Sequence, residues 1–155
     1  MPGAKLQILD ENGQVIEEWI SSDQPHYIEK LPIGTYILRE ILPAAGYVKA
    51  EDVLFEVKDT AELQKVEMKD DITKLQISKK DLTTGEELPG AALQILDETG
   101  KVIEEWVSGA EPHYIERLPI GIYTLRETLP AKGYVTAQDV IFKIEDTAAL
   151  QKVEM

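Results

Sequence analysis

Apolar and polar residues alternate at every second position over short stretches of this chain, and turns bearing glycine or proline separate the stretches. Side chains on a strand point alternately to its two faces, so the pattern predicts short, half-buried strands; helical spacing is nearly absent. Strands are predicted over 93–96 and 101–107, joined by the turn Asp97-Glu98-Thr99-Gly100. A short strand follows over 112–115. The turn Leu118-Pro119-Ile120-Gly121 then leads into the well-alternating stretch 122–128. Pro130 and Gly133 interrupt the pattern before strands over 138–144 and 150–155. A further strand is expected over 73–80, ahead of the turn Thr83-Thr84-Gly85.

The same pattern occurs twice. Residues 2–68 align with 89–155 at a constant offset of 87 without a gap, and about 48 of the 67 aligned positions are identical. The first copy places Asp10-Glu11-Asn12-Gly13 at its first turn, where Asn-Gly is the stronger hairpin signal. Two copies joined by the connector 69–88 predict an all-β chain of two tandem antiparallel β-sandwich domains. With the connector strand assigned to the second unit, the expected domains are 1–71 and 72–155. Both ends look cut from a longer array, because nothing equivalent to 69–88 precedes Pro2 or follows Met155.

Charge and composition narrow the function. Sixteen Lys and Arg oppose 29 Asp and Glu, a formal charge of -13, which repels a phosphate backbone and argues against nucleic-acid binding. The absence of Cys excludes disulfides, thiolate zinc sites and cysteine nucleophiles. Apolar runs are only a few residues long, so neither a membrane-spanning helix nor a secretory signal is expected.

Three kinds of strand stripe run from apolar residues into one ionisable group. Tyr123 and Leu125 lead to Glu127, and Tyr36 and Leu38 lead to Glu40. Leu75 and Ile77 lead to Lys79, whereas Lys74, Gln76, Ser78 and Lys80 face the other way. In the strand closing the first unit, Val66 and Met68 lead to Asp70. Any one stripe could simply reach solvent at its strand end. An amine, an acceptor carboxyl and a second carboxyl facing inward together have complementary chemistry. Desolvation favours their neutral forms. A neutral amine can then attack a protonated carboxylic acid, giving an amide and water while the second carboxyl shuttles protons.

The run Ile77-Ser78-Lys79-Lys80-Asp81, with Thr84-Gly85, Leu88, Gly90-Ala91 and Leu93, resembles the opening of a Cna B-type (SpaA-like, prealbumin-like) repeat domain of Gram-positive surface proteins. Leu118, Gly121, Tyr123, Leu125, Glu127, Pro130, Gly133-Tyr134 and Ile141-Phe142 extend the resemblance over nearly the whole chain. Leu93 departs from the Phe often found there. The resemblance implies a prealbumin-like, Ig-like sandwich from the stalk of an adhesin or pilin, extracellular and anchored to the cell wall. It implies that Lys79 and Asp70 are isopeptide-forming residues and that Glu40 and Glu127 are the proton shuttles. Asp71 is the adjacent alternative to Asp70 but falls on the opposite face from Val66 and Met68.

Neither unit holds a full set. The first unit's lysine would lie before Pro2, leaving that unit without its first strand; the second unit's acceptor would lie two residues past Met155, beyond the end of its last strand. Pairing Lys79 with Asp70 within one chain is disfavoured, because bonded first and last strands run parallel in the family. A parallel crossover takes a dozen or more residues, and only eight separate the two. The chain is therefore expected to contain no intramolecular isopeptide bond.

His26 and His113 in Pro-His-Tyr lack a second ligand at metal spacing, and structural roles are expected for them. Trp19 and Trp106 read as core or interface residues rather than sugar platforms. The acidic turn at Asp10 lacks a calcium-loop ligand series. No cofactor is expected, and no enzyme activity beyond a single self-crosslinking turnover. The expected partners are neighbouring repeats, with strand-exchanged self-association through open sheet edges. The rival reading is an adhesive module that recognises a host protein or glycan.

Overall fold

The computed structural model describes residues 1–155 and contains strands but no helix. The chain divides into two units, Met1–Ile72 and Thr73–Met155. The first carries β1 (Lys5–Leu9), β2 (Val15–Ile20), β3 (Gly34–Leu42) and β4 (Val53–Val57), in one antiparallel sheet ordered β2-β1-β3-β4. The second carries β5 (Lys74–Ser78), β6 (Ala92–Leu96), β7 (Val102–Val107), β8 (His113–Glu116), β9 (Gly121–Leu129), β10 (Val140–Ile144) and β11 (Leu150–Glu154). These form two sheets, β10-β9-β6-β7 and β11-β5-β8. Within each sheet all neighbours are antiparallel except β5 and β11, which run parallel with Ile77 opposite Val153.

The acidic turns close hairpins. Asp10 Oδ1 accepts hydrogen bonds from the backbone N–H of Asn12 and Gln14, both at 2.9 Å, and Gly13 takes the positive φ (79°) that completes the turn. Asp97 does the same for Thr99 and Lys101. Each hairpin bulges at the same place, between Ile8 and Leu9 and between Ile95 and Leu96. The tryptophans pair across it, Leu6 with Trp19 and Leu93 with Trp106. His26 stacks on Trp19 at 4.3 Å and contacts Glu17 at 3.1 Å; His113 stacks on Trp106 at 4.4 Å and contacts Glu104 at 3.2 Å.

The two units differ most in their cores. In the second, β5 lays Leu75 and Ile77 onto Leu93, Ile95, Leu118, Tyr123, Leu125, Phe142 and Ile144, all buried. In the first, the corresponding cluster has only Ile8, Tyr36 and Leu38 buried; Leu6, Leu31 and Phe55, counterparts of Leu93, Leu118 and Phe142, are half-buried. Residues 63–68, expected as the closing strand of the first unit, form no ladder, and neither does 26–29, the counterpart of β8. In the second unit both of these strands pair with β5 and not with each other, so the sequence pattern alone cannot hold them in a sheet. Ser78 lies on the face opposite Ile77, as expected, and is buried there too.

Apolar area removed from water is the main stabilising term, so the first unit should unfold before the second. Each unit has one tryptophan, which makes the comparison direct. In urea, the Trp19 signal of a Trp106→Phe variant is expected to have a midpoint lower by about 1 M or more than the Trp106 signal of a Trp19→Phe variant. Coincident midpoints would contradict this.

Candidate functional site

Two buried glutamates sit at equivalent points on the long central strands. Alternation along β9 turns Tyr123, Leu125 and Glu127 inward, and β3 does the same with Tyr36, Leu38 and Glu40. Glu40 is 1% exposed and Glu127 4%. Burying a carboxylate is costly without partners, and in each unit the loop after the strand supplies one. Glu40 Oε2 accepts the backbone N–H of Ala50 at 2.7 Å, and Glu127 Oε2 accepts that of Ala137 at 2.6 Å. An arginine on the outward face holds each loop in place. Arg39 Nε and Nη2 donate to Asp52, and Arg126 makes the same forked contact with Asp139.

The second carboxylate oxygen is aimed at a different partner in each unit. In the second, Lys79 Nζ lies 3.3 Å from Glu127 Oε1, with both side chains buried. In the first, Glu40 faces Asp70. Asp70 is half-buried, but its Oδ2 is enclosed. With both carboxyls ionised, neither Glu40 Oε1 nor Asp70 Oδ2 has a hydrogen-bond partner. One proton held on Glu40 and donated to Asp70 satisfies both oxygens. Desolvation, and then the neighbouring Asp70 charge, push the Glu40 carboxyl above its ordinary range, against the pull of the Ala50 N–H. Desolvation also raises Asp70, offset in part because it accepts from Glu40.

The four predicted residues thus fall into two half-sites, an amine with a glutamate and a carboxyl with a glutamate. Lys79 belongs to the second unit and Asp70 to the first, and each faces the glutamate of its own unit. Asp71 is exposed, and its side chain accepts the N–H of Ile72 at 2.7 Å. The backbone donors and the arginine clamps were not singled out from sequence. The clamps leave a signal there, an Arg and an Asp spaced 13 apart in both copies; a backbone N–H leaves none. No group of three or more His, Cys, Asp or Glu is arranged to hold a metal ion, and no helix is long and apolar enough to cross a membrane.

A family model described as SpaA, prealbumin-like fold domain, matches the chain twice, over residues 1–72 and 73–155. A search of curated protein sequences found no match. Among solved structures, the chain is similar to the TIE protein of Bacillus anthracis, with 29% identity and a TM-score of 0.59. That match covers all of this chain but only 30% of the TIE chain. The shaft pilin SpaA of Lactobacillus rhamnosus GG is 17% identical with a TM-score of 0.44, covering 99% of this chain and 87% of its own. A minor pilin of Streptococcus agalactiae is also 17% identical, with a TM-score of 0.47 and coverage of 100% and 82%.

The carboxyl pair makes the first unit sensitive to pH. Both groups bind protons more tightly folded than unfolded, so stability falls as pH rises from their ordinary pKa values through the raised ones and stays lower above. Glu40→Gln places a permanent donor beside Asp70. It should stabilise the first unit by about 1 kcal/mol at pH 8 and flatten the slope between pH 5 and 8. Urea midpoints of the Trp19 signal in the Trp106→Phe background measure both; an unchanged slope would exclude the shared proton.

Proposed function

Because the chain belongs to the SpaA prealbumin-like domain family, we propose that it is a stalk segment of a Gram-positive surface adhesin or pilus, of the kind locked by self-formed Lys–Asp amide bonds. It works outside the cell, on a protein anchored to the wall, in series with neighbouring repeats. The observation that carries this reading is the buried contact of Lys79 with Glu127 at the end of a strand that runs parallel to β11.

Tension in a tandem array enters each unit at its first strand and leaves at its last. In the second unit these are β5 and β11, which lie side by side and parallel, so the pull shears one ladder. An amide between them carries the load past the rest of the fold. Glu127 takes a proton from Lys79 Nζ, and the neutral amine attacks the carbonyl carbon of a protonated aspartic acid. The C–N bond forms, Glu127 delivers that proton to the hydroxyl as the C–OH bond breaks and water leaves, and it then takes the second proton from the amide nitrogen, ending protonated. The acceptor position equivalent to Asp70 lies two residues past Met155. Closing that loop of about 78 residues stabilises by roughly 4–5 kcal/mol on the chain-entropy account. The site acts once, on itself, and turns over no external substrate.

The test is to append Lys-Asp-Asp to Met155 of the full chain and measure intact mass. The extended chain is expected one water lighter than calculated, and the same chain with Lys79→Ala at full mass. Glu127→Gln should slow the loss of water by about 100-fold or more. An extended chain that keeps its full mass would remove the covalent mechanism. The unextended chain is expected at full mass.

A further inference from the structure

Lys79 lies one residue past the end of β5, and its side chain reaches Glu127 on a strand of the other sheet. Two segments must be held relative to each other for Nζ to rest against Oε1. Glu127 is fixed by β9 and by the Ala137 N–H. The turn after Lys79 is built by Asp81. Its Oδ1 accepts the Thr83 N–H at 2.7 Å, its carbonyl accepts the Gly85 N–H at 2.8 Å, and Gly85 takes a positive φ (74°). The other carboxylate oxygen, Oδ2, accepts the hydroxyl of Tyr134 at 2.7 Å, from 53 residues further along the chain.

Tyr134 belongs to the loop between β9 and β10, the same loop whose Ala137 N–H holds Glu127 Oε2 at 2.6 Å. One loop therefore touches the glutamate at one point and the turn bearing the amine at another. From Lys79 the contacts run to Asp81, across to Tyr134, along to Ala137, across to Glu127 and back to Lys79 Nζ. The ring is small, since Lys79 and Asp81 are two residues apart and Tyr134 and Ala137 three, so opening one link loosens the others. A hydroxyl donating to an ionised carboxylate is a charge-assisted bond. It holds the Asp81 carboxyl below its ordinary range, and Asp81 in turn raises the Tyr134 phenol, so at neutral pH one stays charged and the other protonated.

We propose that Tyr134 is a positioning residue for amide formation: acting through Asp81, it keeps Lys79 Nζ against Glu127, and neither Tyr134 nor Asp81 exchanges a proton with the reacting atoms. The consequence for the reaction rests on the amide chemistry proposed above. The hold on Lys79 precedes any reaction and is present in the chain without an acceptor. Lys80 supplies an internal control. Its N–H donates to the Met155 carbonyl at 2.8 Å and its Nζ pairs with Glu154 at 3.3 Å, so it reports whether the end of β5 stays attached to β11, independently of Tyr134.

The probe is acetylation of the full chain by a water-soluble N-hydroxysuccinimide ester, followed residue by residue with peptide mass spectrometry. In the parent, buried Lys79 is expected to react far more slowly than Lys80. Tyr134→Phe should speed modification of Lys79 by about 5-fold and leave Lys80 unchanged. Asp81→Ala should do the same, and adding Tyr134→Phe to it should have no further effect, because the two side chains act through one bond. Asp81→Asn keeps an acceptor for Thr83 and turns a donor toward the Tyr134 oxygen, so it should leave Lys79 protected. Unchanged labelling of Lys79 in Tyr134→Phe overturns the proposal, and so does an equal rise at Lys80, which would mean only that the strand end has frayed. In the chain extended by Lys-Asp-Asp, Tyr134→Phe should slow water loss by about 5-fold with the same pH profile. An extended parent that keeps its full mass would count against the amide chemistry, while the labelling still decides the hold on Lys79. Loss of water at the parent rate in Tyr134→Phe would overturn the positioning role and leave the amide chemistry standing.

Discussion

A strand buried within a small sheet needs a hydrogen-bonding partner along each edge and packing beneath it, and β5 meets both needs for the second unit. It lies between β8 and β11, which do not pair with each other, and its inward face carries Leu75, Ile77 and Lys79. The first unit shows how much depends on this. Its counterparts of β8 and β11 have nearly the same sequence and form no ladder, and its counterparts of Leu93, Leu118 and Phe142 are only half-covered. Local pattern makes a segment able to be a strand; a partner makes it one.

The other sheet tolerates the difference. The order β2-β1-β3-β4 in the first unit reproduces β7-β6-β9-β10 in the second, down to the bulge in the hairpin. Hairpin contacts close over a few residues and depend on turn chemistry within them, so they survive where pairing across the domain does not. Tyr36 and Tyr123 reinforce this sheet, each donating its hydroxyl to the carbonyl of the proline four residues earlier at 2.8 Å. The glutamates lie on this better-supported sheet, which explains why Glu40 keeps its place although its surroundings are open.

Much of this was legible before any coordinates. Strict alternation in Tyr-x-Leu-x-Glu assigns a face to every residue of β3 and β9, and the ungapped repeat implies two units of one kind. Alternation also turned Lys79 inward, next to the glutamate whose face had been read the same way. A face is not a burial state, since Ser78 points away from Ile77 and is buried as well. Alternation failed over 63–68, where the pattern is intact but pairing depends on residues far away in the chain. The Ala50 and Ala137 N–H groups were invisible for a simpler reason, since every residue but proline carries the same donor and only the folded loop selects one.

The site divides labour between the two oxygens of one carboxylate. The loop N–H takes Oε2, and a forked Arg–Asp contact on the solvent side holds the loop that delivers it. Oε1 is left aimed at whatever lies next to it, an amine in one unit and a carboxyl in the other. Anchoring one oxygen fixes the direction of the other without using its lone pairs, which a proton carrier has to keep available. On the mechanism proposed above, rigidity and reactivity fall on different atoms. The arrangement persists across both copies although their partners differ, so it is set by the strand and its loop and not by the group it faces.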